Sequence, residues 1–295
     1  MNFDEQMKKR VTEVKSVIAQ YLPAEEGFQR TLLEAVNYSM TVGGKKLRPL
    51  LMHQTYLLFG GNSRVIQPFM AAIEMIHTHS LIHDDLPALD NDEFRRGKET
   101  THIVFGEAMA ILAGDALLNL AYETAAKAFE MEPGNPAVGK AFTVLAEKTG
   151  AGGMLGGQSV DVEFAGKAVT PEQLFYIYRK KTCALIEASM MVGAILAGAG
   201  DEETETVRQI AEKVGMAFQI RDDILDVTGN AEELGKDVGN DEKNSKMTYV
   251  KAFGLTQAKE DVDRYSREAV ELLSKLPGEN DFLKELILVL IHRNS

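Results

Sequence analysis

An all-α fold is predicted for these 295 residues, and three observations predict it. Long stretches repeat apolar residues every three or four positions, the spacing of one helix face. No stretch alternates apolar and polar residues between turn signals as a half-buried strand does. Glycine and proline gather in short groups between the periodic stretches, where they read as loops joining helices.

Taken in chain order, Gly43-Gly44 and Gly60-Gly61-Asn62 mark the first two breaks. Ile66 to Leu86 carries the helical period, and so does Glu107 to Phe129, where Met109, Leu112, Ala113, Ala116, Leu117 and Leu120 fall at i, i+3, i+4, i+7 spacing. Pro133-Gly134-Asn135-Pro136 ends that run. Thr170-Pro171-Glu172-Gln173 combines an N-capping threonine with proline at the first helical position, so a helix starts there. Periodic stretches follow over Gln173–Leu196, Glu203–Val227 and Thr256–Leu276, punctuated by Gly229-Asn230 and Pro277-Gly278. Asp281 to His292 is strongly apolar and reads as a packed final helix. No linker or low-complexity segment divides the chain, so residues 1–295 are expected to form one domain.

Composition narrows the function classes. Apolar residues make up 45% of the chain, enough for a large core. The net charge of -12 repels nucleic acid and anionic lipid surfaces. An anionic ligand must therefore be held by a local basic cluster or by metal ions. The single cysteine, Cys183, allows no internal disulfide and no cysteine-rich zinc site. Residues 1–10 are charged and lack the apolar core of a secretory signal. The longest uncharged run, Ala188 to Gly200, has 13 residues, against roughly 20 for a membrane span. A soluble cytoplasmic protein without stable membrane insertion is expected.

Two aspartate clusters stand out, Asp84-Asp85-Leu86-Pro87-Ala88-Leu89-Asp90 and Asp222-Asp223-Ile224-Leu225-Asp226, each at the end of an apolar helical run. Asp222 and Asp226, at i and i+4, share a helix face. Pro87 must end or bend the first helix and let Asp90 return toward Asp84. Carboxylates so close repel one another. One such cluster is as well explained by a solvated helix end; two, each closing a buried helix, point to bound cations. Oxygen ligands beside phosphate suit Mg²⁺, and the lack of a His/Cys ligand set argues against zinc. Cations gather near both clusters: Lys45, Lys46 and Arg48 after Gly43-Gly44, Arg95 and Arg96 after the first acids, Lys180 and Lys181 before Thr182, and Lys236 and Lys246 around the second acids. A lone basic pair is ordinarily plain surface. In a chain this acidic, the grouping suits two diphosphates with metals. Arg95 and Arg96 are adjacent and point different ways, so they can serve two anions.

From about Tyr38 onward the sequence resembles the bacterial farnesyl diphosphate synthase branch of the isoprenyl diphosphate synthases. The resemblance rests on Gly43 to Pro49 (GGKKLRP), Ser80 to Arg96 (SLIHDDLPALDNDEFRR), Ile111 to Leu117 (ILAGDAL), Gly157-Gln158 with Asp161, Lys181-Thr182, Phe218 to Asp226 (FQIRDDILD), Gly235-Lys236 and Lys246 to Tyr249 (KMTY), in that order. It implies the isoprenoid synthase fold, antiparallel helices around a deep central cavity, with the two acid motifs facing each other. It further implies that Asp84 and Asp90, with Asp85 supporting, and Asp222, with Asp223 and Asp226 near it, bind Mg²⁺, three ions per site. By the same resemblance Arg95, Lys181 and Lys246 contact the allylic diphosphate, and Lys45, Arg48, His77 and Arg96 hold isopentenyl diphosphate. Gly44 and Lys236 join the substrate-binding set, while Gln158, Thr182 and Gln219 bring oxygens near the reacting carbons. The implied reaction is ionisation of the allylic diphosphate, condensation with isopentenyl diphosphate and loss of a proton, with Lys181, Thr182, Gln219, Asp84 and Asp222 as its catalytic residues. A homodimer is also implied.

In the resembling family the helical turn before the first acid motif limits product length. His79 and Ser80 stand five and four residues before Asp84, about one turn away. His79 is expected to act as a floor that gives a C15 product, farnesyl diphosphate, with C20 geranylgeranyl diphosphate as the runner-up. The alternative has His79 pointing away and another helix forming the floor. His83 and His102 are read as satisfying local polar groups, Cys183 as a small packing residue, and Tyr38, Tyr56 and the phenylalanines as core. Leu89 in place of methionine, Glu99 in place of proline, and a final Arg293-Asn294-Ser295 without lysine depart from the family pattern. A class I terpene cyclase does not need Lys45 and Arg48, a non-catalytic synthase subunit loses one acid motif, and an acidic ion-binding scaffold gives no reason for the ordered basic motifs.

Overall fold

A computed structural model describes residues 2–228 and 247–292. The all-α expectation is met. The chain packs as two compact units, one of Met1–His53 with Ser63–Phe142, the other of Gln54–Asn62 with Thr143–Ser295.

In the first unit α1 (Phe3–Ala19) opens on a capping box, in which Asn2 and Glu5 satisfy each other's backbone N–H. It packs on α4 (Ile66–Asp84). The helix α2 (Arg30–Thr41) lies against α4 and α6 (Glu107–Met131), and α3 (Leu47–Leu58) begins in this unit. Most residues of α4 are buried on every side, as expected of a helix apolar all round. Its partner α6 buries mostly small residues, Ala110, Ala113, Gly114, Ala121 and Ala125, and at Gly114 it lies directly against His79 and His83 of α4. The first acid motif therefore ends the best-buried helix of this unit. Between α4 and the short α5 (Thr101–Phe105) the structure adds what the sequence pattern did not signal, a ladder of β1 (Phe94–Arg95) with β2 (Lys98–Glu99). Two residues a strand are too few to show alternation. The turn joining them has positive φ at Arg96 and Gly97, 54° and 73°, the conformation a two-residue hairpin demands.

The second unit is built on α11 (Asp201–Thr228), which packs on α10 (Ala184–Leu196) and α13 (Leu255–Leu273). The helix α12 (Tyr249–Phe253) and the apolar α14 (Asp281–His292) complete it against α11 and α13. The helix α7 (Pro136–Thr149) starts at the expected breaker, capped by Asn135 Oδ1 accepting from the Ala137 N–H. The start of α9 (Pro171–Ile177) is as read from the sequence, with Thr170 and Gln173 closing a reciprocal capping box. The continuous helix expected over Gln173–Leu196 is corrected: a π turn, Tyr178–Cys183, separates α9 from α10. One wide turn shifts the register by a single residue, so the apolar period across it survives and hides it. Against it lies α8 (Met154–Glu163), whose Gly157 sits backbone to backbone on this turn; a Cβ there would stand 2.2 Å from the Lys181 nitrogen.

Candidate active site

In the first unit the end of α4 delivers the first acid motif. The helix stops at Asp84, and the chain turns through Leu86 and Pro87 until the Asp90 N–H donates to the Asp84 carbonyl at 2.9 Å. Asp84 and Asp90 are thereby neighbours, and both remain half-buried. Asp85 is different. It is buried, and its Oδ1 accepts from the Arg95 guanidinium. Burial pushes the Asp85 carboxyl above its usual range, with Arg95 pulling the other way.

The hairpin explains how two adjacent arginines serve different partners. Arg95 turns to Asp85 and Asp92, whereas Arg96 donates to the carbonyls of Val42 and Gly43. Gly44 (φ +95°) makes room for that guanidinium, since a Cβ would lie 2.4 Å from Arg96 Nη1. Lys45 is exposed on the same loop. Lys46, which the sequence groups with the other cations, is instead buried and pairs with Glu74 of α4 at 3.0 Å. A buried ion pair is costly to break from one side. Glu74 is a site residue that sequence reasoning missed: one acid inside an apolar helix gives no motif, and its position one turn before His77 is the only cue.

Lys46, Arg48, Arg95 and Arg96 all act on His77, and with burial as the largest cause they push its imidazole well below the usual range. A neutral ring is the consequence. Burial likewise lowers Arg48 to about 10, opposed by Glu74 and aided by Arg96. The Arg48 Nε is buried with no hydrogen-bond partner among the described residues. Buried donors are ordinarily satisfied, so this guanidinium fits an anion.

One turn before Asp84, His79 is buried against α6, its Nδ1 donating to the Gly114 carbonyl at 3.0 Å. The His83 ring lies edge-on to it and meets the Ile111 carbonyl, as a local polar contact. Ser80 donates back to the His77 carbonyl. Burial lowers His79 to about 4, so its ring too is neutral near pH 7.

In the second unit the π turn and α11 bring a second set together. Lys181 reaches Asp161 of α8 at 2.6 Å, and the Thr182 hydroxyl donates to Gln219 Oε1 at 2.8 Å. Gln158 stands half-buried on α8. Asp222 and Asp226 share one face of α11 and are half-buried, while Asp223 is turned inward, 2% exposed. Its carboxylate takes the Tyr178 hydroxyl, the Tyr249 N–H and Gln219 Nε2. Tyr178 is a further residue missed from sequence, where nothing sets it apart from other aromatics, and Tyr249 is singled out there only as the last residue of the Lys246 to Tyr249 motif, without a role. Lys180 donates to the Gly152 carbonyl. Cys183 is buried against Gly215, which fits the packing role expected of it. Lys236 and Lys246 lie outside the described residues. A cavity of about 640 Å³ in this unit, lined by Phe175, Arg179 and Tyr265 among others, includes Lys180 but neither Lys181 nor any residue of the acid motifs.

The carboxylates supply the oxygen donors that Mg²⁺ favours. Among the described residues no three His, Cys, Asp or Glu side chains converge into a ready cage. Mg²⁺ ordinarily takes one or two carboxylates and completes its shell with phosphate oxygens and water, so the paired Asp84 and Asp90, and Asp222 and Asp226, fit it. No helix among the described residues is long and apolar enough to cross a membrane.

The polyprenyl synthetase family model matches residues 29–286. The chain belongs to the polyprenyl synthetase family. Within the family it is 45% identical to a farnesyl diphosphate synthase of Geobacillus stearothermophilus over 84% of this chain and 83% of that protein. It is 42% identical to the farnesyl diphosphate synthase of Micrococcus luteus, over 95% and 94%. A chloroplastic geranylgeranyl pyrophosphate synthase of Catharanthus roseus is 46% identical over 83% of this chain and 69% of that one. An FPP/GFPP synthase structure from Zymomonas mobilis superposes with a TM-score of 0.87 at 31% identity, covering 98% and 99%. A geranyltransferase from Helicobacter pylori, solved with magnesium and isoprenyl diphosphate, gives 0.84 at 29%, covering 99% and 97%. The polyprenyl synthetase described here thus has the isoprenoid synthase fold expected from its motifs.

Proposed function

We propose that this polyprenyl synthetase condenses isopentenyl diphosphate with an allylic diphosphate, dimethylallyl or geranyl, to give farnesyl diphosphate. The observation that carries the reading is the cationic cluster beside the first acid motif, in which Arg48, Arg95, Arg96 and the neutral His77 crowd together and the Arg48 Nε lacks a partner among the described residues. Such a cluster is arranged for a multiply charged, oxygen-rich anion. The farnesyl diphosphate synthases of two bacteria, matched over most of their length, support the same reading.

Arg48, Arg96, Lys45 and His77 hold isopentenyl diphosphate, with Gly44 giving the loop its turn. Arg95 and Lys181 hold the allylic diphosphate, joined by Lys236 and Lys246. Asp84, Asp90, Asp222 and Asp226 hold Mg²⁺, three ions in all, with Asp85 keeping Arg95 in place. Bound magnesium supplies Lewis-acid stabilisation of the diphosphate leaving group. Thr182 and Gln219, joined by their hydrogen bond, turn oxygen toward the allylic carbon as positive charge develops, and Gln158 adds a further oxygen. No side-chain nucleophile takes part. The enzyme acts as a cytoplasmic homodimer, each chain a single catalytic domain.

The test is product analysis with isopentenyl diphosphate, dimethylallyl diphosphate and Mg²⁺. Farnesyl diphosphate is expected, with turnover abolished by a chelator and restored by Mg²⁺. Asp84→Ala and Asp222→Ala should each cost orders of magnitude in rate, because each removes an oxygen ligand of the activating ion; near-normal rates would overturn the metal assignment. Product formed from a single prenyl diphosphate without isopentenyl diphosphate would instead indicate a cyclase.

A C20 product is the second reading, favoured by the identity to the Catharanthus roseus enzyme. The buried ring of His79, one turn before Asp84, sets the limit at C15 in the first reading. His79→Ala should then shift product toward C20 or longer with unchanged Mg²⁺ dependence. An unaltered distribution would place the floor elsewhere.

A further inference from the structure

Asp223 is built into the structure unlike its neighbours in the second acid motif. Its Oδ2 accepts the Tyr178 hydroxyl and, at 2.6 Å, the backbone N–H of Tyr249, which also lies 3.0 Å from the Tyr178 oxygen. Its Oδ1 takes Gln219 Nε2 at 3.3 Å. These donors come from three elements, the π turn, α11 and the first residue of α12, and meet on one carboxylate that is 2% exposed. An oxygen of this carboxyl accepts from the Gln219 side chain, and that sets which way the amide faces. The NH₂ must point to Asp223, and the carbonyl oxygen is left for the Thr182 hydroxyl, 2.8 Å away.

We propose that Tyr178 is a positioning residue and Asp223 an orienting acceptor, which together hold the Gln219 carbonyl oxygen toward the reacting carbons; neither binds metal. This rests on the prenyltransferase reading above. Without the Tyr178 hydroxyl, Asp223 loses a charge-assisted partner and the Tyr249 N–H loses one of its two acceptors. With asparagine at 223 the acceptor becomes an amide that can donate, and Gln219 is free to turn its NH₂ toward developing positive charge. The π turn matters because it places Tyr178 against α11 while Lys181 and Thr182, three and four residues later, face Asp161 and Gln219.

The experiment compares Tyr178→Phe, Tyr178→His, Asp223→Asn, the double variant Tyr178→Phe with Asp223→Asn, and Asp222→Asn with wild type. It reads kcat, the KM of each substrate, the Mg²⁺ concentration at half-maximal rate, and amide hydrogen exchange at Tyr249. Tyr178→Phe and Asp223→Asn should lower kcat roughly ten- to a hundredfold, the range of a charged hydrogen bond, with KM and the Mg²⁺ requirement unchanged. Tyr178→His, which keeps a donor, should recover part of the rate. The two losses should be less than additive when combined, since both act on one network. Asp222→Asn should raise the Mg²⁺ requirement. Exchange at Tyr249 should quicken in Tyr178→Phe, a readout independent of turnover. A raised Mg²⁺ requirement in Asp223→Asn, or unchanged kcat and exchange in Tyr178→Phe, would overturn the proposal. If wild type forms no prenyl product the functional reading fails, and quickened exchange at Tyr249 in Tyr178→Phe still supports the Asp223 hub.

Discussion

Single residues here take their roles from what surrounds them. Lys45, Lys46 and Arg48 are three cations within four positions, yet the fold separates them. Lys46 is buried on Glu74, Lys45 is exposed, and Arg48 keeps an Nε without a partner among the described residues. Their substitutions should therefore behave differently. Arg48→Ala should raise the KM of isopentenyl diphosphate about ten- to a hundredfold while leaving the allylic diphosphate alone, whereas Lys181→Ala should mainly lower the rate of the allylic half-reaction. Steady-state kinetics with each substrate varied in turn checks both, and equal effects on one substrate would refute separate sites. Lys46→Ala should show itself chiefly in stability, by about 3–5 kcal/mol, because it leaves the Glu74 carboxylate buried and unpaired; urea denaturation reads that loss.

At the scale of the element, the π turn is the feature with the most consequences. It forms where α8 presses Gly157 onto the backbone of Lys180 and Lys181. Gly157 keeps ordinary backbone angles, and space alone forbids a larger residue there. Gly157→Ala should cost about 1–3 kcal/mol, the usual range for overpacking. It should also lower kcat, because it pushes on the turn that aims Lys181 and Thr182. A melting curve and an assay on the same preparation test the pair of effects, and an alanine variant matching wild type in both would show that α8 yields. The neighbouring contact of Gly215 with Cys183 is similar in kind: the cysteine fills the space where α11 passes the turn, which explains a buried thiol raised well above its usual pKa by desolvation.

For the whole molecule, the buried histidines tie stability to pH. His79 is held at about 4 in the folded chain against 6.5 when exposed, with desolvation the largest cause, and His77 is also lowered, well below 6.5. Between these values the unfolded chain binds protons that the folded chain refuses, so stability rises with pH through this window. The contribution of His79 is complete above about pH 6.5 and falls away toward pH 4, by on the order of 3 kcal/mol. Replacing His79 with glutamine should flatten the loss measured by denaturant titration between pH 6.5 and 4. An unchanged slope would mean that this ring is protonated without cost in the folded chain.

The sequence by itself determined the helical class, the loops between helices, the cap that starts α9 and the two acid motifs with their basic companions. All of these are local: period, capping and motif spacing are written in neighbouring residues. Asp90 returning to Asp84 was legible too, because Pro87 cannot continue a helix. Only the tertiary structure decided which member of each motif is taken up internally. Asp84 and Asp85, or Asp222 and Asp223, are identical in type and adjacent in sequence, and nothing local distinguishes them. Burial does: Asp85 is claimed by Arg95 and Asp223 by Tyr178, Tyr249 and Gln219. The same holds for Lys46 and Glu74, for the π turn and for the direction of His79. Each depends on a partner distant along the chain, and its meaning appears only when packing removes water and leaves protein groups to satisfy the charge or hydrogen bond.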